Sequence, residues 1–162
     1  NFSYLINEFY NFKKVNNDFI LVILGEGEER RSLLKIINEK KIEKSVFLLG
    51  HKDDIYNIMK RSSAFILSSL WEEMGFVIIE AAMNNLYVIS SNCPNGPKEF
   101  LNYGSNGILF SNNLPNALCE SFQKFSKTSS EKIFYDKLQL KKNSIKFTKF
   151  RHFTKLVNII ES

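Results

Sequence analysis

The chain has 162 residues and a net charge of +5, with 44 % apolar and 24 % charged residues, which is ordinary for one globular domain with a sizeable core. No apolar run approaches the ~18–20 residues of a membrane span, and the start Asn1-Phe2-Ser3-Tyr4 lacks the basic opening and cleavage site of a signal peptide. Two cysteines in dissimilar contexts, Cys93 and Cys119, make no disulfide framework, so a cytoplasmic protein is expected.

Residues 2–13 place Phe2, Leu5, Ile6, Phe9 and Phe12 on one side at helical spacing, and Asn16-Asn17-Asp18 ends that pattern. Phe19–Leu24 is a continuous apolar run, as in a strand buried on both faces. Gly25-Glu26-Gly27 turns into an amphipathic helix with Leu33, Leu34, Ile36 and Ile37 inward. A second strand, Val46–Leu49, closes on Gly50, and Asp53 or Asp54 caps a helix holding Ile55, Ile58 and Met59. Ala64–Leu67 is a third strand, residues 75–84 a helix, and Leu86–Ile89 a fourth strand. A polar loop, Ser90–Pro97, precedes a short helix near Lys98–Leu101, and Gly107–Phe110 is a fifth strand. Helices follow over Pro115–Phe125, Glu131–Asn143 and about Thr148–Ile160. This alternation predicts an α/β, doubly wound parallel sheet, whose ligands sit beyond the carboxyl ends of the strands.

The charge is uneven. Between Lys124 and Lys155 ten Lys and Arg stand against two acids, Glu131 and Asp136. Such a stretch can meet anionic lipid headgroups, bind nucleic acid or form a solvated helix face. Phe147, Phe150 and Phe153 recur at three-residue steps, which speaks for helix docking over base stacking, so no nucleic-acid partner is expected.

The richest stretch is Ser68–Ala81. An apolar run stops at Ser-Ser, a short acidic loop with Glu72 and Glu73 follows, and Gly75 opens a new apolar segment that carries Glu80. This reads as strand, loop and helix N-terminus, with an acid about one and a half turns inside, facing back toward the loop. Free N–H groups and a partial positive charge at the helix start suit a phosphate. A carboxylate just beyond can accept two hydrogen bonds from a ribose diol.

With these residues laid out, the chain resembles the C-terminal, donor-binding domain of retaining GT-B glycosyltransferases of family GT4. That family carries Glu-x7-Glu in a stretch written Ser-x-x-Glu-Gly-Phe-Gly-Leu-Val-x-x-Glu-Ala-Met. Glu72 and Glu80 fall at its acids, Gly75 at its second glycine, and Phe76-Val77 at Leu-Val. Gly25-Glu26-Gly27, Gly50, Gly96-Pro97-Lys98-Glu99-Phe100 and Asn106-Gly107-Ile108-Leu109 match further features in order. The resemblance spans about residues 1–115. It implies a Rossmann-like C-terminal half over residues 1–146, with a last helix over 147–162.

The resemblance also implies roles. Glu72 would touch the donor sugar near the reacting centre and is the expected catalytic residue. Gly75, Phe76 and Val77 would offer backbone N–H groups to the sugar and diphosphate, and Glu80 would hold the ribose. Gly50 and His51 would flank the base, although an ordinary exposed histidine is the rival reading of His51. The expected donor is a nucleoside diphosphate sugar, with UDP preferred on analogy, and neither cofactor nor metal. The expected acceptor is a glycan or glycolipid reached through an N-terminal domain absent from this sequence. The basic tail would suit peripheral contact with the inner face of a membrane.

Departures accompany the match. Glu73 and Met74 replace a glycine and a phenylalanine, and Asn85 and Tyr87 replace a glycine and a proline. The family's domain opens with a strand, a Gly-Arg turn and a lysine, and this sequence begins inside the helix that follows. The implied absences are a central strand of the sheet and the cations that stabilise a leaving phosphate, so the chain alone is expected to be inactive. Two other readings stay open: another GT-B enzyme such as a nucleotide-sugar epimerase, and a non-catalytic regulatory α/β module.

Overall fold

A computed structural model describes residues 1–73, 75–112, 114–147 and 157. In chain order it holds α1 (Phe2–Lys13), β1 (Leu21–Leu24), α2 (Arg30–Glu39), β2 (Val46–Gly50), α3 (Ile55–Lys60) and β3 (Ala64–Leu67). Then come α4 (Phe76–Met83), β4 (Tyr87–Ser91), α5 (Pro97–Phe100), β5 (Ile108–Phe110), α6 (Ala117–Lys127) and α7 (Ser130–Ser144), with a 3-10 turn at Ile145–Phe147. The helix expected over Thr148–Ile160, with His152, Phe150, Phe153 and most of the 147–162 segment, lies outside the described residues. Among the described residues no helix is long and apolar enough to cross a membrane.

Local chemistry sets several boundaries. Asp54 caps α3 by accepting from the Asn57 N–H at 3.1 Å, and Ser129 caps α7 by accepting from Lys132 N–H at 3.3 Å. Pro97 occupies the first turn of α5, where its missing N–H costs nothing. Three expectations change. The first strand is Leu21–Leu24, because Ile20 points to solvent. In α2 only Leu33 and Ile37 are buried, with Ile36 partly so, and Leu34 is exposed because the 100° turn per residue carries it off the Leu33–Ile37 line. Ser90 and Ser91 belong to β4 and are fully buried, although their polarity reads as loop.

All strand pairs are parallel. β1 pairs with β2, and β4 lies between β3 and β5. Helices cover both faces, as the alternation in β4 shows: Tyr87 and Ile89 enter a core with α1, α2 and α6, whereas Val88 enters a core with α4, α5 and α7. The first core is rich in phenylalanine; Phe9 meets Phe122 edge to face at 5.9 Å and Phe12 meets Phe122 at 5.5 Å.

The sheet is interrupted between β1 and β3, whose facing edges belong to no ladder. Two cavities, of about 680 and 460 Å³, occupy the interruption and share Leu21, Val22, Ala64 and Ile66. Phe9, Phe12, Phe122 and Phe125 wall the second, and Ile55, Met59, Val77 and Leu86 wall the first.

At the foot of β4, the Tyr87 hydroxyl is pushed well above its ordinary value of 10.0, first by burial and then by the neighbouring Asp136 carboxylate. Asp136 is 1 % exposed and pairs with Lys132. A phenol that holds its proton more tightly when folded contributes stability that is complete below its unfolded value and is lost as pH rises toward the folded one. Melting temperature is therefore expected to fall as pH climbs above 10.0, and Tyr87→Phe to flatten that fall. Calorimetry on both chains across this range checks it; parallel slopes would refute the assignment.

Candidate functional site

The carboxyl ends of the strands gather on one edge. At the first, Gly25 N–H donates to the Gly50 carbonyl at 2.9 Å, which ties the ends of β1 and β2 together. Gly50 has φ of +71°, and a Cβ there would run into the Glu26 carboxylate. Glu26 pairs with Arg30 at 3.3 Å, and the Arg30 guanidinium donates to the Leu48 carbonyl at 3.2 Å. The turn is thus braced by charge, and no third glycine is needed. His51 follows Gly50, is exposed, and stands 3.5 Å from Asp53 Oδ1. His51, Gly25, Ser68 and Ser69 line the upper end of the larger cavity.

The β3–α4 loop is anchored from the neighbouring strands. Ser91 Oγ donates to the Ser69 carbonyl at 2.7 Å, and Asn112 Nδ2 donates to the same oxygen at 2.6 Å. Further along, Glu72 N–H donates to the Pro94 carbonyl at 3.4 Å. Gly75, buried, is the N-cap of α4 with φ 59° and ψ 40°, a left-handed conformation that glycine adopts without penalty. Among the described residues no side chain caps this end of α4, so the first-turn N–H groups, including those of Phe76 and Val77, have no side-chain acceptor there.

Glu80 is half-buried just over a turn inside α4, and Glu72 is half-buried in the loop before it. Among the described residues neither carboxylate has a hydrogen-bond or ion-pair partner. The Glu80 carbonyl, by contrast, accepts from both Asn84 N–H at 3.0 Å and Asn84 Nδ2 at 2.9 Å, which secures the helix end. Glu73 is exposed to solvent. Among the described residues no three His, Cys, Asp or Glu side chains converge as a metal site requires.

The structure thus joins Glu72, Gly75, Phe76, Val77 and Glu80 in one loop–helix unit. Gly50 and His51 lie across the slot from it, and Val77 and His51 both line its larger cavity. Glu72 and Glu80 do not line that cavity, whose apolar walls belong to the interrupted sheet. Phe76 is 60 % exposed and Trp71 73 %, so Trp71 fills no core. Ser91 and Asn112, which hold the loop, are not singled out by the sequence; small polar residues at strand ends carry no periodicity, and only their hydrogen bonds to the Ser69 carbonyl mark them.

The parallel α/β scaffold is shared with known proteins. The sequence model for the glycosyl transferases group 1 family matches residues 1–147. The chain belongs to that family. An uncharacterised glycosyltransferase of Methanocaldococcus jannaschii is 39 % identical over 94 residues, covering 56 % of this chain and 23 % of that protein. The Escherichia coli UDP-Gal:alpha-D-GlcNAc-diphosphoundecaprenol alpha-1,3-galactosyltransferase is 41 % identical over 76 residues, covering 46 % of this chain and 20 % of that enzyme. Among solved structures, a complex of S. aureus TarM with fondaparinux, alpha-GlcNAc-glycerol and UDP superposes with TM-score 0.89 at 23 % identity, over 99 % of this chain and 33 % of that one. Anabaena HepE in complex with UDP superposes with TM-score 0.85 at 18 % identity, over 98 % and 44 %. At these identities the structures establish a shared fold. This group 1 chain spans only a fifth to a quarter of the length of those two curated relatives.

Proposed function

We propose that this chain is the donor-binding half of a retaining glycosyltransferase that moves a sugar from a nucleoside diphosphate, UDP by preference, to an acceptor hydroxyl of a surface polysaccharide or lipid-linked glycan. The observation that carries the reading is the start of α4, where, among the described residues, left-handed Gly75 leaves first-turn N–H groups without a side-chain acceptor and the Glu80 carboxylate, just over one turn on, has no partner. The N–H groups would bind the diphosphate, Glu80 would accept from the ribose diol, and Glu72 would meet the donor sugar. Gly50 and His51, across the slot, would border the base. Dipoles, not a divalent metal, would hold the diphosphate, and the chain by itself would bind donor without turning it over. The choice of acceptor rests on relatives such as the E. coli UDP-Gal:alpha-D-GlcNAc-diphosphoundecaprenol alpha-1,3-galactosyltransferase.

Thermal melting with UDP, GDP and ADP tests this. At a nucleotide concentration near 100 Kd, stabilisation should be about 2.7 kcal/mol, or roughly 5–10 °C at this size. One nucleotide should give the shift, EDTA should leave it unchanged, and Glu80→Ala should remove it. A cooperative melt that none of the three moves, in this chain and in one carrying an added strand across the β1–β3 slot, would overturn the reading.

A further inference from the structure

Helix α7 carries an apolar ridge on its outer side. Its buried line is Asp136, Leu140 and Ser144. Two positions away, about 200° around the helix, stand Phe134, 70 % exposed, and Leu138; Ile145, in the following turn, extends the same line and is also exposed. Leu and Phe at the outer pole of a docked helix are not explained by folding, since α7 already buries its opposite face against α4 and β4. Exposed Lys141 and Lys142 and half-buried Lys137 flank the ridge, with exposed Lys146 beyond them. Of the two acids nearby, Asp136 is buried and paired with Lys132, which leaves Glu131 alone on the surface.

We propose that this face of α7 seats on an anionic lipid surface, with Phe134 and Leu138 in the headgroup–acyl boundary and the lysines at the phosphates. The pattern is that of an interfacial helix, an apolar face bordered by lysines whose long stems reach outward to the polar layer. A protein-binding face is the weaker match, because lysine is depleted from such interfaces. The inference is independent of the nucleotide reading and needs no donor for its test.

The test uses the whole chain in co-sedimentation with vesicles of phosphatidylcholine alone and of phosphatidylcholine mixed equally with phosphatidylglycerol. Binding should require phosphatidylglycerol and weaken with salt. Lys141→Gln with Lys142→Gln should weaken it about thirty-fold, at about a factor of five per lysine. Phe134→Ser with Leu138→Ser should weaken it at least as much, with the melting temperature preserved because both side chains are exposed. Phosphatidylcholine binding as tight as the mixed vesicles, or no binding at all, would overturn the proposal. So would ridge variants that bind as tightly as the parent, because the basic charge of the tail would then suffice. Ridge variants that dissociate a dimer in sedimentation velocity, without any vesicle affinity in the parent, would assign the face to a second copy instead.

Discussion

A chain extended ahead of Asn1 by five alternating Val and Ile residues should melt about 10 °C higher than the chain alone, corresponding to about 3 kcal/mol. Geometry dictates the direction of such a strand. Asn1 lies at the carboxyl edge, where its carbonyl accepts from Ser68 Oγ at 3.4 Å, and α1 then runs back toward the start of β1. A strand leaving the slot at Asn1 would be parallel to β1 and β3 and joined to β1 through α1, as in an ordinary crossover unit. Its side chains would meet Phe9 and Phe122 on one face and Met59 and Leu86 on the other. Burying each Val or Ile contributes about 1.5–3 kcal/mol, and ordering costs about 1.5 kcal/mol per residue. Ladder bonds to both free edges supply the rest of the difference. Hydrogen exchange at β1 and β3 should slow in the extended chain. A control extension of Ser and Gly should do neither, and an apolar extension that behaves like the control would show that the slot does not accept a strand.

Glu8→Ala should cost about 3 kcal/mol. Glu8 is buried in α1, and its Oε2 accepts from the Cys119 N–H of α6 at 3.1 Å. The N-cap of α6, Asn116, makes no side-chain cap, so Glu8 does that work from another helix and sets a negative charge at the positive end of α6. Their own burial first, and then the Glu8 charge, raise both the Tyr4 hydroxyl and the Cys119 thiol above their ordinary values. Removing the carboxylate loses a charged hydrogen bond, leaves the Cys119 N–H buried without an acceptor, and opens a cavity between α1 and α6. Glu8→Gln keeps an acceptor oxygen and should cost only about 1 kcal/mol. Denaturant melts of the three chains separate these terms. Equal losses in the two variants would mean that shape, not hydrogen bonding, joins the helices.

These cases show what a sequence can carry. The apolar runs at 19–24, 46–49 and 64–67 were legible as strands because a buried parallel sheet favours uninterrupted apolar stretches, although the first strand opens only at Leu21. The start of α4 was legible because glycine takes a left-handed cap without penalty. Ser90 and Ser91 were not legible as strand, since burial without hydrophobicity depends on partners such as the Ser69 carbonyl. Leu34 misleads for the opposite reason, an apolar residue placed outside the face that packs. The Glu8–Cys119 link joins residues 111 positions apart and leaves no local mark. The interruption between β1 and β3 was legible only through resemblance, because an empty slot has no residues of its own.

Trp71 is the only tryptophan of the chain, and it stands 73 % exposed in the loop that leads from β3 into α4. Indole emission would accordingly report on that loop and very little on the core. Unfolding followed by intrinsic fluorescence would look almost flat while circular dichroism collapsed, because the fluorophore already sits in water. A ligand settling beside the loop would quench or shift the same signal with no background from elsewhere in the protein. The fold therefore separates two readouts that are usually entangled, and the native chain serves as its own optical probe of occupancy.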